Sequence, residues 1–214
     1  LNDSAVALAS FLAGAGVEPG DRVAAWMPNV PETIVAMIAT SLLGATFTST
    51  SPDFGVAGVL DRFGQVEPKV LIAADGYVYA NKQHSRLELL AEVVAGLPTL
   101  EAVIVHGELS AAPNLTGVRE VNGAIPVLDF EQAIGVGRLA VSQGRGIDPH
   151  RLYRFDQPLY ILYSSGTTGV PKCIVHQAGG LLLKHVVEQQ LHCDIRPGER
   201  VFYCTTGGWM MWNW

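Results

Sequence analysis

Tyr163-Ser164-Ser165-Gly166-Thr167-Thr168-Gly169-Val170-Pro171-Lys172 is the stretch on which the reading of this chain turns. An apolar run at 159–163 (LYILY) precedes it and a shorter one at 173–176 (CIVH) follows. Both runs read as strands, so the stretch between them is a loop. Its glycines permit positive backbone angles and let amides converge on one anion. The hydroxyls of Ser164, Ser165, Thr167 and Thr168 add donors suited to phosphate oxygens. Lys172 brings a positive charge on a flexible stem, and Pro171 stiffens the exit. This is the composition of a polyphosphate cradle, and equally that of a hairpin turn rich in Gly, Ser and Thr. Residue types alone leave both readings open. Spacing does argue against a P-loop NTPase, whose Gly-x-x-x-x-Gly-Lys-Ser/Thr motif opens a helix. Here Gly166 and Gly169 are three apart and a strand follows Lys172.

Working outward, the chain upstream alternates short apolar strands with helices. Helical spacing marks 4–15, and Pro31 suits the first turn of a helix running to about residue 43. Further helices are expected at 55–66 and 86–95. Strands are expected at 22–27, 45–50, 69–73 and 102–105. Downstream, a helix is expected at 177–190 and a strand at 200–204. The alternation predicts an α/β fold of layered, mostly parallel sheet flanked by helices. The stretch 107–158 has scattered Gly, Pro and Asn and weak periodicity. It is expected to be mostly a surface excursion with one short helix at 129–134.

Composition narrows the function classes. Apolar residues make up 49% of the 214 residues and charged residues 16%, which fits either strands covered on both faces or an apolar surface that expects a further segment to cover it. A net charge of −6 without a Lys/Arg cluster argues against a nucleic-acid surface. No stretch approaches the roughly 20 apolar residues of a membrane helix. Three cysteines, Cys173, Cys193 and Cys204, suggest reduced thiols and a cytoplasmic setting. His185 and His192 could share a helix face, but no carboxylate or cysteine completes a ligand set, so no metal site is expected. The first residue is Leu and the chain closes on Trp-Met-Met-Trp-Asn-Trp. Both ends are expected to be cuts in a longer protein.

The full string 163–172 resembles the signature of the adenylate-forming, or AMP-binding, superfamily: Tyr-Thr/Ser-Ser-Gly-Ser/Thr-Thr-Gly-x-Pro-Lys. Every fixed position matches. The strings 17–23 (VEPGDRV), 27–32 (MPNVPE) and 43–45 (LGA) resemble the amino-terminal half of the same superfamily, so the likeness covers nearly the whole chain, most weakly over 107–158. Within the superfamily, 205–214 (TTGGWMMWNW), 51–55 (SPDFG) and 74–77 (ADGY) resemble the acid–CoA ligases that act on acetoacetate.

The resemblance implies an incomplete amino-terminal AMP-binding domain over 1–214, with its phosphate loop at 163–172. It implies ATP, Mg²⁺ and coenzyme A as the small molecules handled. A carboxylate would attack the α-phosphate, and the acyl group would then pass to a thiol. On this likeness Ser164, Ser165, Gly166, Thr167, Thr168, Gly169 and Lys172 hold the ATP phosphates, with Thr167, Thr168 and Lys172 foremost. Gly208, Trp209, Met210 and Met211 would border the acyl and coenzyme A channel. Acetyl-CoA synthetases carry an Arg-Gly-Gly segment where this chain has 77–82 (YVYANK), so their coenzyme A contacts do not transfer; Lys82 or Arg86 could approach its phosphate, although a solvated surface charge is the simpler reading. The adenine, ribose, magnesium and catalytic-lysine residues of the superfamily would lie beyond Trp214. The isolated chain is therefore expected to show no turnover and to self-associate through Trp209, Met211, Trp212 and Trp214. The alternatives are a ligase for another short acid and a non-catalytic nucleotide-binding module.

Overall fold

The computed structural model describes residues 1–123, 125–164 and 169–213. Ala124, Ser165, Gly166, Thr167, Thr168 and Trp214 lie outside the described residues. The chain forms a sheet of β1 (Arg22–Trp26), β2 (Thr46–Thr50), β3 (Val70–Ala74), β6 (Ala102–His106), β7 (Val127–Asp129), β8 (Pro158–Ser164) and β9 (Lys172–Gln177). The order across the sheet is β7-β6-β3-β1-β2-β8-β9, with every pairing parallel except β8 with β9. A separate antiparallel hairpin pairs β4 (Gly76–Tyr79) with β5 (Lys82–Ser85).

Strands β1, β3 and β6 are almost wholly apolar because both sheet faces are covered there, and the hydroxyl-rich β2 (TFTST) is buried along its whole length. The period of two assigns each side chain. Val23, Ala25, Val70, Ile72, Ala102 and Ile104 join the core beneath α1 (Asn2–Gly14), α2 (Pro31–Leu42) and α6 (Phe130–Ser142). Ala24, Trp26, Leu71, Ala73, Val103 and Val105 join the core beneath α3 (Val56–Val66), α4 (Leu87–Ala95) and α5 (Thr116–Asn122). The direction of each connection explains the division. Parallel crossovers are right-handed, so helices from connections running one way lie on one face and those running back lie on the other. The steps β1 to β2 and β7 to β8 run one way and carry α2 and α6. The steps β2 to β3, β3 to β6 and β6 to β7 run the other way and carry α3, α4 and α5.

The stretch 107–158 departs from its expectation. It contributes α5, edge strand β7 and the thirteen-residue α6. Asp129 and Gln132 close a reciprocal capping box at the start of α6, which buries Phe130, Ala133, Ile134 and Gly137. Two further expectations differ. The helix expected at 177–190 is α7 (Ala178–Val186) running into a π-helical turn, Val187–His192. The stretch 200–204, expected to be a strand, pairs with no strand among the described residues, and Val201, Phe202 and Tyr203 are exposed. No helix among the described residues is long and apolar enough to cross a membrane.

Candidate functional site

Parallel strands leave their carboxyl ends along one edge of the sheet, and ligands of open α/β sheets bind there, where the winding reverses. In this chain the reversal falls at β1, flanked by β2 and β3. The connections leaving these strands and the returning segment 205–213 frame a cleft of about 480 Å³, bordered by Met27, Asn29, Ser51, Asp53, Tyr77 and Gly207.

Each wall is fixed by identifiable bonds. The buried Trp26 indole donates to the Ser51 carbonyl at 3.1 Å and holds the turn after β2. Arg86 Nε donates to the Pro52 carbonyl at 2.7 Å, and its Nη2 donates to the Tyr77 hydroxyl at 3.0 Å. Arg86 therefore ties the β4–β5 hairpin to that turn, a structural task that occupies the side chain considered for a coenzyme A phosphate. Lys82, the other candidate, is an exposed residue of β5 opposite Tyr79. The hairpin turns at Ala80 and Asn81, whose φ values of 49° and 60° suit a two-residue turn that follows the twist of its strands.

The returning segment docks closely on β2. Ser49 Oγ donates to the Gly207 carbonyl at 2.6 Å, and Trp212 Nε1 donates to Asn29 Oδ1 at 3.0 Å. A methyl group on Gly208 would stand 2.7 Å from the Ser51 nitrogen, so only glycine allows this approach. Of the expected channel residues, Met210 packs against the core. Trp209 is 66% exposed, and Met211 is exposed at the surface. Trp212, expected at a sticky surface, is instead partly buried and bonded to Asn29.

The phosphate-loop candidates divide. Ser165, Gly166, Thr167 and Thr168 lie outside the described residues. Ser164 ends β8 directly opposite Lys172, which begins β9. Directly opposed residues of an antiparallel pair share a sheet face, so the Ser164 hydroxyl and the Lys172 stem start from the same side. Lys172 is exposed and forms no ion pair among the described residues. Gly169 has φ +104°, a conformation that an L side chain would strain.

Two anchors that the sequence reading missed hold the stems of this loop. The Tyr163 hydroxyl lies 2.8 Å from Thr48 Oγ1, which lies 2.8 Å from the Ile161 carbonyl. A carbonyl can only accept, so Thr48 donates its single hydrogen to Ile161 and Tyr163 donates to Thr48. Burial pushes the Tyr163 phenol well above its usual range, which keeps that donor protonated. On the other stem, Gln65 of α3 donates from Nε2 to the Pro171 carbonyl at 2.9 Å, and Cys173 Sγ lies 3.7 Å from Gln65 Oε1. Burial raises the Cys173 thiol, favouring a donor over a nucleophile. No sequence motif marks Gln65 or Thr48; only the fold brings them to the loop. Among the described residues no group of three His, Cys, Asp or Glu side chains is arranged to hold a metal ion.

Comparison with known proteins gives a consistent likeness. The AMP-binding enzyme family matches residues 1–212. An acetoacetyl-coenzyme A synthetase of Rhizobium meliloti is 47% identical over 210 residues, which is 97% of this chain and 30% of that protein. A malonamoyl-CoA synthetase of Penicillium aethiopicum is 40% identical over 204 residues, 92% of this chain and 27% of that protein. The solved structure of acetoacetyl-CoA synthetase from Streptomyces lividans superimposes with a TM-score of 0.84 at 44% identity, covering 99% of this chain and 30% of that one. The chain thus spans about 30% of the length of the relatives it matches.

Proposed function

Because the chain belongs to the AMP-binding enzyme family, we propose that it is the phosphate-gripping part of an ATP-dependent acid–CoA ligase, the large amino-terminal domain in part, with its phosphate loop at 163–172. The ligase joins acetoacetate to AMP as an acyl-adenylate and then transfers the acyl group to coenzyme A. The observation that carries this reading is the pairing of Ser164 with Lys172 at the carboxyl edge of the sheet, with both loop stems anchored from the protein body.

The chemistry follows from that geometry. When a carboxylate oxygen attacks the α-phosphorus, the bond to the bridging oxygen breaks and negative charge moves onto the departing diphosphate. A fixed cation and fixed donors beside that diphosphate stabilise the charge as it develops. Lys172 supplies the cation; Ser164 and the amide of Gly169 supply donors, together with Ser165, Gly166, Thr167 and Thr168. Gly208, Trp209, Met210 and Met211 border the space for the acyl group and the incoming thiol. ATP and coenzyme A are substrates of this reaction, and Mg²⁺ accompanies the nucleotide. The three free cysteines suit a cytoplasmic enzyme.

The test is acid-dependent exchange of pyrophosphate into ATP by the longer protein. Acetoacetate should support exchange well above acetate. Lys172→Ala should lower it about 100-fold or more, as loss of one charge-stabilising donor does elsewhere. Equal exchange by the Lys172 variant would refute the role. The 214-residue chain alone should form no AMP. A second reading, a ligase for malonamate or another short acid carrying a carbonyl at C3, is favoured by the malonamoyl-CoA relative. The same assay decides between the acids.

A further inference from the structure

A cation outside the loop motif faces the same space. Arg62 of α3 lines a cleft of about 320 Å³ together with Ser164, Gly208, Trp209 and Met210. Its guanidinium lies 4.4 Å from the centre of the Phe54 ring and 5.9 Å from that of Tyr163. Its Nη1 donates to the Gly58 carbonyl one helical turn earlier, at 2.8 Å. Two rings and one tether fix the plane of the group, so a ligand would meet it already oriented.

The opposite edge of the guanidinium is idle. Arg62 Nε is buried and has no hydrogen-bond partner, and no bond engages Nη2 among the described residues. No carboxylate forms an ion pair with Arg62 among the described residues either. A buried, unpaired N–H is costly, and buried polar groups left unpaired in folded proteins are few. Nε and Nη2 together form the fork that matches two oxygens of a carboxylate or a phosphate. Arg62 borders the cleft at the place where Ser164 and the segment 208–210 meet.

We propose that Arg62 is a second cationic ligand of the site, gripping two anionic oxygens of a bound substrate through Nε and Nη2. The shared chemistry is a planar pair of anionic oxygens. Its source is a phosphate of the nucleotide or the carboxylate of the acid. The proposal rests on the phosphate-loop reading, and Lys172 serves as its independent reporter.

Titration calorimetry on the 214-residue chain tests it with two probes, inorganic pyrophosphate and acetoacetate. Arg62→Gln should weaken at least one probe tenfold or more. Loss confined to pyrophosphate assigns the fork to phosphate, and loss confined to acetoacetate assigns it to the carboxylate. Arg62→Lys keeps the charge but has no fork, so its affinity should fall between wild type and Arg62→Gln. It decides the matter if Arg62→Gln lowers the melting temperature. Wild-type affinity for both probes in a folded Arg62→Gln, or in Arg62→Lys, overturns the proposal. Two outcomes separate it from the reading beneath it. If Lys172→Gln abolishes pyrophosphate binding while Arg62→Gln does not affect either probe, the loop reading stands and Arg62 falls. If Arg62→Gln loses binding while Lys172→Gln does not, the loop reading falls and Arg62 stands. A wild-type chain that binds neither probe overturns both.

Discussion

The body of the sheet and the carboxyl-terminal region are built from the same kinds of residue and treat them in opposite ways. Leu8, Leu12, Leu71, Leu90, Phe47 and Phe63 are fully buried between the sheet and its two helical layers. In 172–213, Leu182 is 65% exposed, Leu191 74% and Phe202 88%. Only Leu181 of α7 reaches the core. The edge strand β9 has no neighbour on its outer side among the described residues. Apolar residues in one region stabilise the fold, while in the other they wait on a covering surface. The lesson is that sequence hydrophobicity marks a wish to be buried, and topology decides whether the chain itself can grant it.

Substitutions can break this comparison. Phe63→Ala should cost about 3–5 kcal/mol in urea unfolding, since it empties a closed core site. Phe202→Ala should change stability by no more than about 0.5 kcal/mol. Equal costs would mean that 201–204 is packed in solution and the contrast is false. The same exposure predicts that the chain self-associates, and that Leu182→Ser with Phe202→Ser shifts sedimentation toward the monomer. A shift from Trp212→Phe instead, with no effect of the first pair, would place the sticky surface elsewhere.

Glycines sharpen the comparison at a smaller scale. Gly208→Ala should destabilise by about 1–3 kcal/mol, because the added methyl collides with the Ser51 backbone. Gly180→Ala in α7 should stabilise by about 0.5–1 kcal/mol, since it meets open space within a helix. Opposite signs by thermal melting would show that 205–213 is docked where α7 is not.

How much of this was legible in the sequence follows the same division. The strands at 22–26, 70–74 and 102–106 stood out because two-sided burial makes their runs almost continuously apolar, whereas the strand at 46–50 is buried just as fully but built mainly on Thr and Ser. The loop at 163–172 stood out because its chemistry is local. Helix α6 announced itself less clearly. Asp129 and Gln132 carried a capping signal, yet Gly135 and Gly137 blurred the apolar stripe beyond Ile134. The β4–β5 hairpin was hidden because Ala80 occupies a positive-φ position usually marked by Gly or Asn. The strand expected at 200–204 had the right pattern and, among the described residues, no partner to pair with. At the site, Thr48, Arg62 and Gln65 were invisible because their roles arise from α3 and β2 meeting the loop across more than a hundred residues of chain, which no local pattern records.

The Tyr163–Thr48 bond offers the finest test, since it joins the packed body to the loop. Tyr163→Phe keeps the ring beside Phe63 and removes only the hydroxyl that donates to Thr48. Thr48 retains its bond to the Ile161 carbonyl, so the loss should be about 0.5–1.5 kcal/mol near neutral pH. Alkaline pH separates this bond from simple packing. Burial raises the phenol in the folded state above its usual value of 10.0. Below that value both states hold the proton, and the phenol adds no pH dependence. As pH rises past it, the unfolded chain releases the proton while folded Tyr163 keeps it, so unfolding becomes more favourable and stability falls. Burial raises Tyr160 and Tyr153 in the same sense. Tyr163→Phe should therefore be less stable than wild type at pH 8 and lose less stability between pH 9 and pH 11. Parallel stability curves across that window would mean that Tyr163 reaches water when folded, and of the two anchors only Gln65, on the other stem, would remain.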